Sequence, residues 1–385
     1  MRSTNATYTN LPTTIFETMS RLARHYDAVN LGQGFPDDKG PLDVLQQAAT
    51  QLLDGSNQYP PMMGTPALRQ AVAHHARRFY GLEVDWQNET LVTSGATEAL
   101  AAAIFALVEP GDEVVLIEPF YDAYLPLVLR AGATPRFVSL KPPHWRLERT
   151  DLAAAFSPRT KAVIVNNPMN PTGRVFSVAE LDLLAEFVTG TDAYVIADEV
   201  YEHLVFDGGT HRTLLKVAGL RDRVVKIGSA GKTFSLTGWK VGYVTADQHL
   251  INLLGKAHQF LTFTTPPNLQ AAVAFGLEKP AGYFQDLARD MQRRRDRFIA
   301  GLKALDLDVL LCEGTYFANI DIAALGASDD EAFCRKMVEE LGVAAIPVSA
   351  FYKEAPVRSV IRFCFAKQDA VLDAALERLA GLRRN

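Results

Sequence analysis

The chain has 385 residues, of which 48% are hydrophobic and 22% are charged, a composition typical of a globular enzyme with two or three domains. Its net charge of −5 gives no support for nucleic-acid binding, which usually requires a basic patch. No apolar run approaches the roughly 18 residues of a membrane span, and the three cysteines form no CxxC pair, so we expect a cytoplasmic protein with reduced thiols and neither a membrane anchor nor a metal site.

The predicted elements divide the chain into two patterns. Residues 1–45 form a loop-rich arm that we expect to complete a smaller domain or to reach a neighbouring subunit. Between about residues 90 and 245, short apolar runs alternate with helical patterns, which is typical of an α/β domain with a largely parallel sheet covered on both faces. The runs are 91–94, 114–117, 136–140, 162–166, 194–197, 224–228 and 241–245, and the helical patterns include 98–108, 121–131 and 178–189.

After residue 280 the pattern changes to mixed short strands and helices. A long polar helix is predicted over 283–305, further helices over 330–341 and 368–382, and short strands at 309–312, 317–320, 343–346 and 360–365. This mixture is typical of a smaller α+β domain. We therefore predict a large domain over 46–279 and a small C-terminal domain over 280–385.

Small and polar residues follow the ends of several predicted strands, where ligands bind in open α/β sheets. Gly95, Ala96 and Thr97 precede a helix that is predicted to begin near Glu98, and their backbone N–H groups would be free to bind an anion such as phosphate. The next such segment is a rigid turn over 166–173 with two prolines, in which Asn170 could form hydrogen bonds, although this pattern is more often only a turn.

Three charged residues are further candidates for a functional site. Asp198 follows the run 194–197 and could pair with a cationic ring nitrogen or simply cap a helix. Lys232 follows the run 224–228 among small residues; a P-loop is excluded because Lys226 stands where that motif needs glycine. A neutral lysine amine can form a Schiff base with an aldehyde. Arg362, inside an apolar strand, needs either a substrate carboxylate or a buried Asp or Glu as its partner.

In combination, the residues at these strand ends could bind a phosphate, a ring nitrogen and an aldehyde. Pyridoxal 5'-phosphate (PLP) carries these three functional groups. On the segments 30–37, 58–69, 167–173 and 229–242, the chain resembles the class I/II aminotransferases of PLP fold type I. The most similar branch contains the kynurenine, glutamine and methionine aminotransferases. The resemblance covers nearly the whole chain and implies a mostly parallel seven-stranded sheet in the large domain.

The resemblance also implies roles for individual residues. Lys232 is implied as the Schiff-base lysine, with Asp198 and Tyr201 as the other catalytic residues. The implied cofactor-binding residues are Gly95, Ala96, Thr97, Ser229 and Lys240 at the phosphate, Tyr121 against the ring, Asn170 and Tyr201 at the 3-hydroxyl oxygen, and Asp198 at the ring nitrogen. Lys240 stands where many relatives have arginine, a departure that the kynurenine-type branch shares.

The substrate site and the assembly follow from the same resemblance. The implied substrate-binding residues are Arg362, which would bind the α-carboxylate, and Gly34, Asn170, Phe16 and Phe263 around it. Tyr59 corresponds to a phosphate contact that relatives donate from a second subunit, so the resemblance implies a homodimer with shared active sites.

The implied function is transfer of the α-amino group of an L-amino acid to a 2-oxo acid. The aromatic pocket candidates favour a large apolar, aromatic, methionine or glutamine donor. One alternative is a PLP-dependent carbon–sulfur β-lyase that acts on cysteine S-conjugates and would use the same lysine. A regulator built on this fold is disfavoured because the segment before residue 30 leaves no room for a DNA-binding domain. A silent scaffold is disfavoured because the residues implied for catalysis are all present.

Overall fold

The structure is a computed structural model that describes residues 4–382. Within this range the strands are β1 (Val29–Asn30), β2 (Thr90–Thr93), β3 (Glu113–Glu118), β4 (Thr134–Ser139), β5 (Thr160–Asn166), β6 (Tyr194–Asp198), β7 (Val224–Ser229), β8 (Gly242–Thr245), β9 (Asp308–Val309), β10 (Phe317–Asp321), β11 (Val343–Ala344), β12 (Ile346–Pro347) and β13 (Val360–Cys364). The α-helices are α1 (Ala6–Thr9), α2 (Ile15–His25), α3 (Leu42–Asp54), α4 (Pro66–Tyr80), α5 (Gly95–Leu107), α6 (Tyr124–Arg130), α7 (Arg149–Ala155), α8 (Val178–Thr191), α9 (Ala230–Thr233), α10 (Gln248–Leu261), α11 (Pro267–Leu277), α12 (Ala281–Ala304), α13 (Asp330–Leu341) and α14 (Asp369–Leu379).

The central feature is a seven-stranded sheet with the strand order β2-β8-β7-β6-β5-β3-β4. Strand β8 is antiparallel to both of its neighbours, and the other adjacent pairs are parallel. Both faces are buried: in β3, Val114 and Leu116 join one hydrophobic cluster, while Val115 and Ile117 join another. The predicted α/β fold with a mostly parallel seven-stranded sheet is thereby confirmed.

Each of the seven apolar runs coincides with a strand to within two residues at either end. Three predicted boundaries were wrong. Helix α5 begins at Gly95 and not near Glu98, α6 begins at Tyr124 and not at Tyr121, and only the first residue of the run 309–312 lies in a strand. The shift in α5 matters most, because it places Gly95 and the two residues after it in the first turn of the helix.

The second part of the fold contains two smaller sheets. Strands β12-β13-β10-β9 form an antiparallel sheet, and β1 pairs in parallel with β11, where Val29 lies opposite Val343. The arm was predicted to be loop-rich, but it contains the eleven-residue helix α2. The pairing of β1 with β11 joins this arm to the C-terminal part of the chain. The domain limits near residues 45 and 279 remain predictions.

None of the helices between residues 4 and 382 combines the length and the apolar character that crossing a membrane would require.

Candidate active site

A cavity of about 340 Å³ opens at the carboxyl edge of the seven-stranded sheet and reaches the antiparallel sheet that contains β13. Every predicted site residue except Tyr59 and Phe263 lines it. These residues are Phe16, Gly34, Gly95, Ala96, Thr97, Tyr121, Asn170, Asp198, Tyr201, Ser229, Lys232, Lys240 and Arg362. The parallel strands β2, β5, β6 and β7 end at this edge, so residues that are far apart in sequence meet here because of the strand order.

One end of the cavity is formed by the start of α5. The first N–H groups of a helix have no partner within the helix, and the helix dipole adds positive potential there. Gly95 has a positive φ of 73°, and a Cβ atom on it would lie 3.3 Å from Cε of Lys240. Lys240 itself adopts the left-handed conformation with φ 54°, which is uncommon for a residue other than glycine. The helix start and the ammonium group together form a site suited to an anion.

Glu98 and His258 support the start of this helix from behind. The Glu98 carboxylate accepts a hydrogen bond from the backbone N–H of Ser94 at 3.0 Å. His258, which is fully buried, lies with Nδ1 3.1 Å from the same carboxylate and with Nε2 3.1 Å from the carbonyl oxygen of Met62. The turn that leads into α5 is therefore fixed by buried polar contacts.

Lys232 lies in the short helix α9, directly after β7. Its Nζ donates a hydrogen bond to Oη of Tyr316 at 3.0 Å and lies 5.6 Å from the ring centroids of Tyr201 and Tyr316. Burial lowers the pKa of Lys232 to about 8, although the nearby Asp198 carboxylate acts in the opposite direction. The lowered pKa increases the share of neutral amine near neutral pH, and the neutral form is the one that can act as a base or nucleophile.

Asp198, the last residue of β6, carries a carboxylate with one engaged oxygen and one free oxygen. Oδ2 accepts a hydrogen bond from Oη of Tyr124 at 2.5 Å, whereas the buried Oδ1 has no partner among the described residues. Burial raises the pKa of the Asp198 carboxyl. A buried acceptor without a donor is costly, and a cationic ring N–H would satisfy it. This free oxygen fits the ring nitrogen of PLP.

Arg362, in the middle of β13, is fully buried. Its Nη1 donates to Oδ1 of Asn170 at 2.7 Å and its Nη2 donates to the carbonyl oxygen of Gly32 at 3.0 Å, while its Nε has no partner. Burial lowers the pKa of Arg362 to about 10, so the guanidinium remains charged at neutral pH. Between residues 4 and 382, no carboxylate lies within 4.0 Å of it, so the alternative of a buried ion pair with a protein Asp or Glu is wrong.

The surroundings of Arg362 keep the cavity open and apolar. The guanidinium carbon lies 4.0 Å from the ring centroid of Phe317 and 5.3 Å from that of Phe16, at distances where cations and aromatic rings attract each other. A Cβ atom on Gly34 would lie only 2.9 Å from the ring of Phe317. Glycine at position 34 therefore allows the ring of Phe317 to pack closely beside the charged group.

Tyr59 and Phe263 lie outside the cavity of this chain. Their rings contact each other with centroids 5.5 Å apart, and Tyr59 is 83% exposed. Phe260 is also exposed, at 86%.

Sequence reasoning did not identify four aromatic residues of the site: Phe35, which lines the cavity; Tyr124, which binds Asp198; Tyr316, which binds Lys232; and Phe317, which packs on Arg362. Tyr124 and Phe317 lay within predicted elements, where an aromatic residue is ordinarily explained by the core. The only available signal was a tyrosine hydroxyl in an otherwise apolar segment, because such a hydroxyl needs a partner when it is buried.

A separate buried group surrounds Glu202, four residues after Asp198. Glu202 accepts hydrogen bonds from Nζ of Lys226 at 2.8 Å and from the hydroxyl of Tyr80, while His75 and His203 lie with their Nε2 atoms 2.7 Å apart. Burial acts to raise the pKa of Glu202, but attraction to Lys226 and the two imidazoles holds it well below its usual range. Since the carboxylate already binds Lys226 and the imidazoles bind each other, we interpret this group as a structural network and not as a metal site.

Comparisons with known proteins show which family the chain belongs to. The sequence profile of the family described as aminotransferase class I and II matches residues 26–379. The methionine aminotransferase of Escherichia coli K12 is 42% identical over 372 residues, which cover 97% of this chain and 96% of that protein. Human kynurenine–oxoglutarate transaminase 1 is 40% identical over 394 residues, which cover 93% of each chain.

A solved aminotransferase structure has the same fold as this chain. The structure of N-succinyldiaminopimelate aminotransferase from Mycobacterium tuberculosis superposes with a TM-score of 0.96 at 45% identity, covering 99% of this chain and 100% of that one.

Proposed function

The chain belongs to the class I and II aminotransferases, and on that basis we propose which substrates it uses and which residues carry out the reaction. The resemblance found in the sequence is thus confirmed: the protein is an aminotransferase enzyme whose cofactor is PLP, and its substrates are amino acids and 2-oxo acids. The proposed donor is an L-amino acid with a large apolar or aromatic side chain, methionine or glutamine. One observation carries the residue roles: a single cavity holds Lys232, the free Oδ1 of Asp198 and the guanidinium of Arg362, which has no carboxylate partner among the described residues.

We infer that PLP is held at both ends of its ring. The start of α5, Ser229 and Lys240 would bind the phosphate, and Tyr121 would pack on the ring. Asn170 and Tyr201 would bind the 3-hydroxyl oxygen, and Asp198 would bind the ring nitrogen. When bound, PLP supplies an aldehyde that joins to amines and a ring that accepts the electrons released when the Cα–H bond breaks.

We propose a separate role in the reaction for each of three residues, Lys232, Asp198 and Arg362. Arg362 binds the α-carboxylate and orients the amino acid with its Cα–H bond toward Nζ of Lys232. The neutral Lys232 amine would take the proton from Cα and deliver it to the former aldehyde carbon of the cofactor, because its return to Cα would transfer no amino group. The Asp198 carboxylate keeps a proton on the ring nitrogen through the charge of its free Oδ1.

The cavity also supports the choice of donor. The lining includes Phe16 and Phe317, whose rings contact the Arg362 guanidinium, and its described residues include no second arginine that would bind the side-chain carboxylate of aspartate. The named relatives act on methionine, kynurenine and N-succinyldiaminopimelate, so family membership alone leaves the donor open.

A panel of amino donors with 2-oxoglutarate as the acceptor tests the proposed function. We expect methionine, phenylalanine, kynurenine and glutamine to give kcat/KM values at least about 10-fold above that of aspartate, since aspartate would bury an uncompensated carboxylate. Aspartate as the best donor would overturn the proposed pocket, and no transfer from any donor would overturn the proposed function. Pyruvate and ammonia from an S-substituted cysteine, without an acceptor, would indicate the β-lyase instead, a reading that the aminotransferase relatives do not favour.

Replacement of Arg362 by alanine is expected to raise KM for the amino donor by about 10- to 100-fold, because the substrate carboxylate would lose a hydrogen bond to a charged group. The effect on kcat should be smaller. Arg362→Lys should give an intermediate value because it keeps the charge but not the planar fork. Arg358→Ala, which changes an exposed arginine, is the matched control. An amine without an α-carboxylate should react equally with wild type and variant, and a selective loss with that amine would contradict the assigned role.

We also propose a homodimer in which Tyr59 contacts the phosphate in the partner's cavity. The contact between the exposed rings of Tyr59 and Phe263 supports this, because large apolar side chains exposed together often mark an interface. Phe263, which contacts Tyr59, would lie at the same interface. The cytoplasmic location remains a prediction, which cell fractionation would test.

Tyr59→Phe is expected to weaken PLP binding by about 10-fold, through the loss of one hydrogen bond to a charged group. Mixed dimers of this variant with Lys232→Ala should contain one site with both native residues and therefore regain tight binding at that site. Titration of PLP into the two homodimers and the mixed dimer measures this. Tyr8→Phe, another exposed tyrosine, is the control. A mixed dimer without a tight site would mean that Tyr59 does not act across subunits.

A further inference from the structure

Tyr316 is the one described residue whose side chain bonds directly to Nζ of Lys232. It immediately precedes β10 and is 1% exposed. Its Oη lies 3.0 Å from Nζ of Lys232 and 2.9 Å from the carbonyl oxygen of Gly34. The tyrosine thus connects the lysine to the backbone that borders the carboxylate site.

The direction of these two hydrogen bonds is fixed by chemistry. A tyrosine hydroxyl has one proton to donate, and a carbonyl oxygen can only accept. The proton of Tyr316 therefore points to Gly34, and its oxygen accepts from Lys232. Burial raises the pKa of Tyr316 well above its usual range, so the hydroxyl stays protonated and does not serve as a base for the lysine.

We propose that Tyr316 is a positioning residue that accepts one N–H of the free Lys232 amine and thereby directs the rest of the amine into the cavity. The proposal rests on the proposed function, which requires Lys232 to be released and to act again in each half-reaction. Without the hydroxyl, the flexible four-carbon stem of lysine would leave the amine in several orientations. The bond to Gly34 holds the acceptor beside the site where the substrate carboxylate would bind.

The same contact affects the ionisation of Lys232. An acceptor that bonds to an ammonium favours the charged form, so its removal lowers the pKa of the lysine. The other groups that influence this amine are Asp198 and Cys364, which raise its pKa, and Arg362 and Lys240, which lower it. Since all four remain in a tyrosine variant, a change in the pKa of Lys232 would report the lost hydroxyl.

Tyr316→Phe removes the hydroxyl and keeps the ring. The ring packs against those of Tyr201 and Phe317, with centroids 5.2 and 4.8 Å away, and these contacts do not need the oxygen. The matched control is Tyr352→Phe, in which another largely buried tyrosine loses a hydrogen bond to a backbone carbonyl, that of Leu140 at 2.6 Å. Tyr352 has no contact with Lys232 among the described residues.

The first measurement uses the enzyme without cofactor. The rate at which acetic anhydride labels Lys232 is followed against pH by peptide mass spectrometry, because only the neutral amine reacts. We expect the labelling midpoint to fall in Tyr316→Phe and to stay unchanged in Tyr352→Phe. An unchanged midpoint in Tyr316→Phe would overturn the proposal, whatever happens to activity.

The second measurement uses the PLP-loaded enzyme with the best donor from the panel. We expect Tyr316→Phe to lower kcat by about 10-fold, the effect of one hydrogen bond, with KM changed by less than about 3-fold. A wild-type kcat in the variant would also overturn the proposal. If the wild-type enzyme transfers no amino group, the proposed function fails, while the labelling experiment still decides whether Tyr316 holds the lysine.

Discussion

Replacement of Lys232 by alanine is expected to reduce transamination by about 10³-fold or more, because one residue would lose both its covalent role and its proton transfer, each worth orders of magnitude in rate. The side chain ends in a cavity and is not part of a salt bridge, so its removal should leave the fold intact. Single-turnover kinetics with PLP-loaded variant and wild type measure the effect on the chemical step.

Two further variants make the result specific. Lys232→Arg keeps a positive charge, but a guanidinium stays protonated at any working pH, so it should be as inactive as alanine. Lys303→Ala changes an exposed lysine of α12 and should behave as wild type. Normal turnover by Lys232→Ala, or by Lys232→Arg, would refute the assignment of this lysine.

Asp198→Asn is expected to lower kcat by about 10²- to 10³-fold, the range found when one preorganised electrostatic partner of a transition state is removed. The amide has the shape of the carboxylate but no charge, so it cannot favour a proton on the ring nitrogen. KM for the donor should change much less, because Arg362 and not Asp198 is proposed to bind the carboxylate. Steady-state kinetics, with the pH dependence of the cofactor absorbance as a second readout, test this.

Tyr124→Phe is a milder change at the same carboxylate, and its effect on kcat can be compared with that of Asp198→Asn. It removes only the hydrogen bond to Oδ2 and should therefore lower kcat less than Asp198→Asn does. Asp306→Asn, at an exposed position after α12, is the control for the chemical change itself. If Asp198→Asn retained wild-type kcat and absorbance, the ring-nitrogen role would have to move to another residue.

The seven strands could be predicted because each is an apolar run between polar segments, and in a sheet buried on both faces that pattern needs no further information. The site residues at strand ends were predicted by the same logic, since the carboxyl edge is where ligands bind.

The helix start at Gly95 was missed because glycine is a poor residue inside a helix, yet at the first position its positive φ is an advantage. Helix α2 had a signal that was not used: Thr14 and Glu17 form the S/T-x-x-E pattern of a helix start, and the Thr14 hydroxyl accepts from the Glu17 N–H at 3.3 Å.

The contacts between distant side chains could not be predicted from local pattern. Lys232 and Tyr316 are 84 positions apart, and nothing around Tyr316 indicates which group its hydroxyl meets. The same holds for Tyr124 and Asp198, 74 positions apart. Tyr59 shows a different limit, because its proposed partner, the phosphate in a second subunit, cannot be identified from the residues around it.

The pairing of β1 with β11 also determines when the active site can form during synthesis. All the residues proposed to hold PLP within one subunit lie between 95 and 240, so a growing chain contains them once the seven-stranded sheet is complete at residue 245. Gly34, by contrast, reaches Arg362 only after residues 343–364 have been made, because Val29 pairs with Val343. Closing so long a loop affects the folding rate more than the stability. We therefore expect the residues that bind the cofactor to assemble before those that bind the carboxylate, because Tyr316 and Arg362 are synthesised after residue 245.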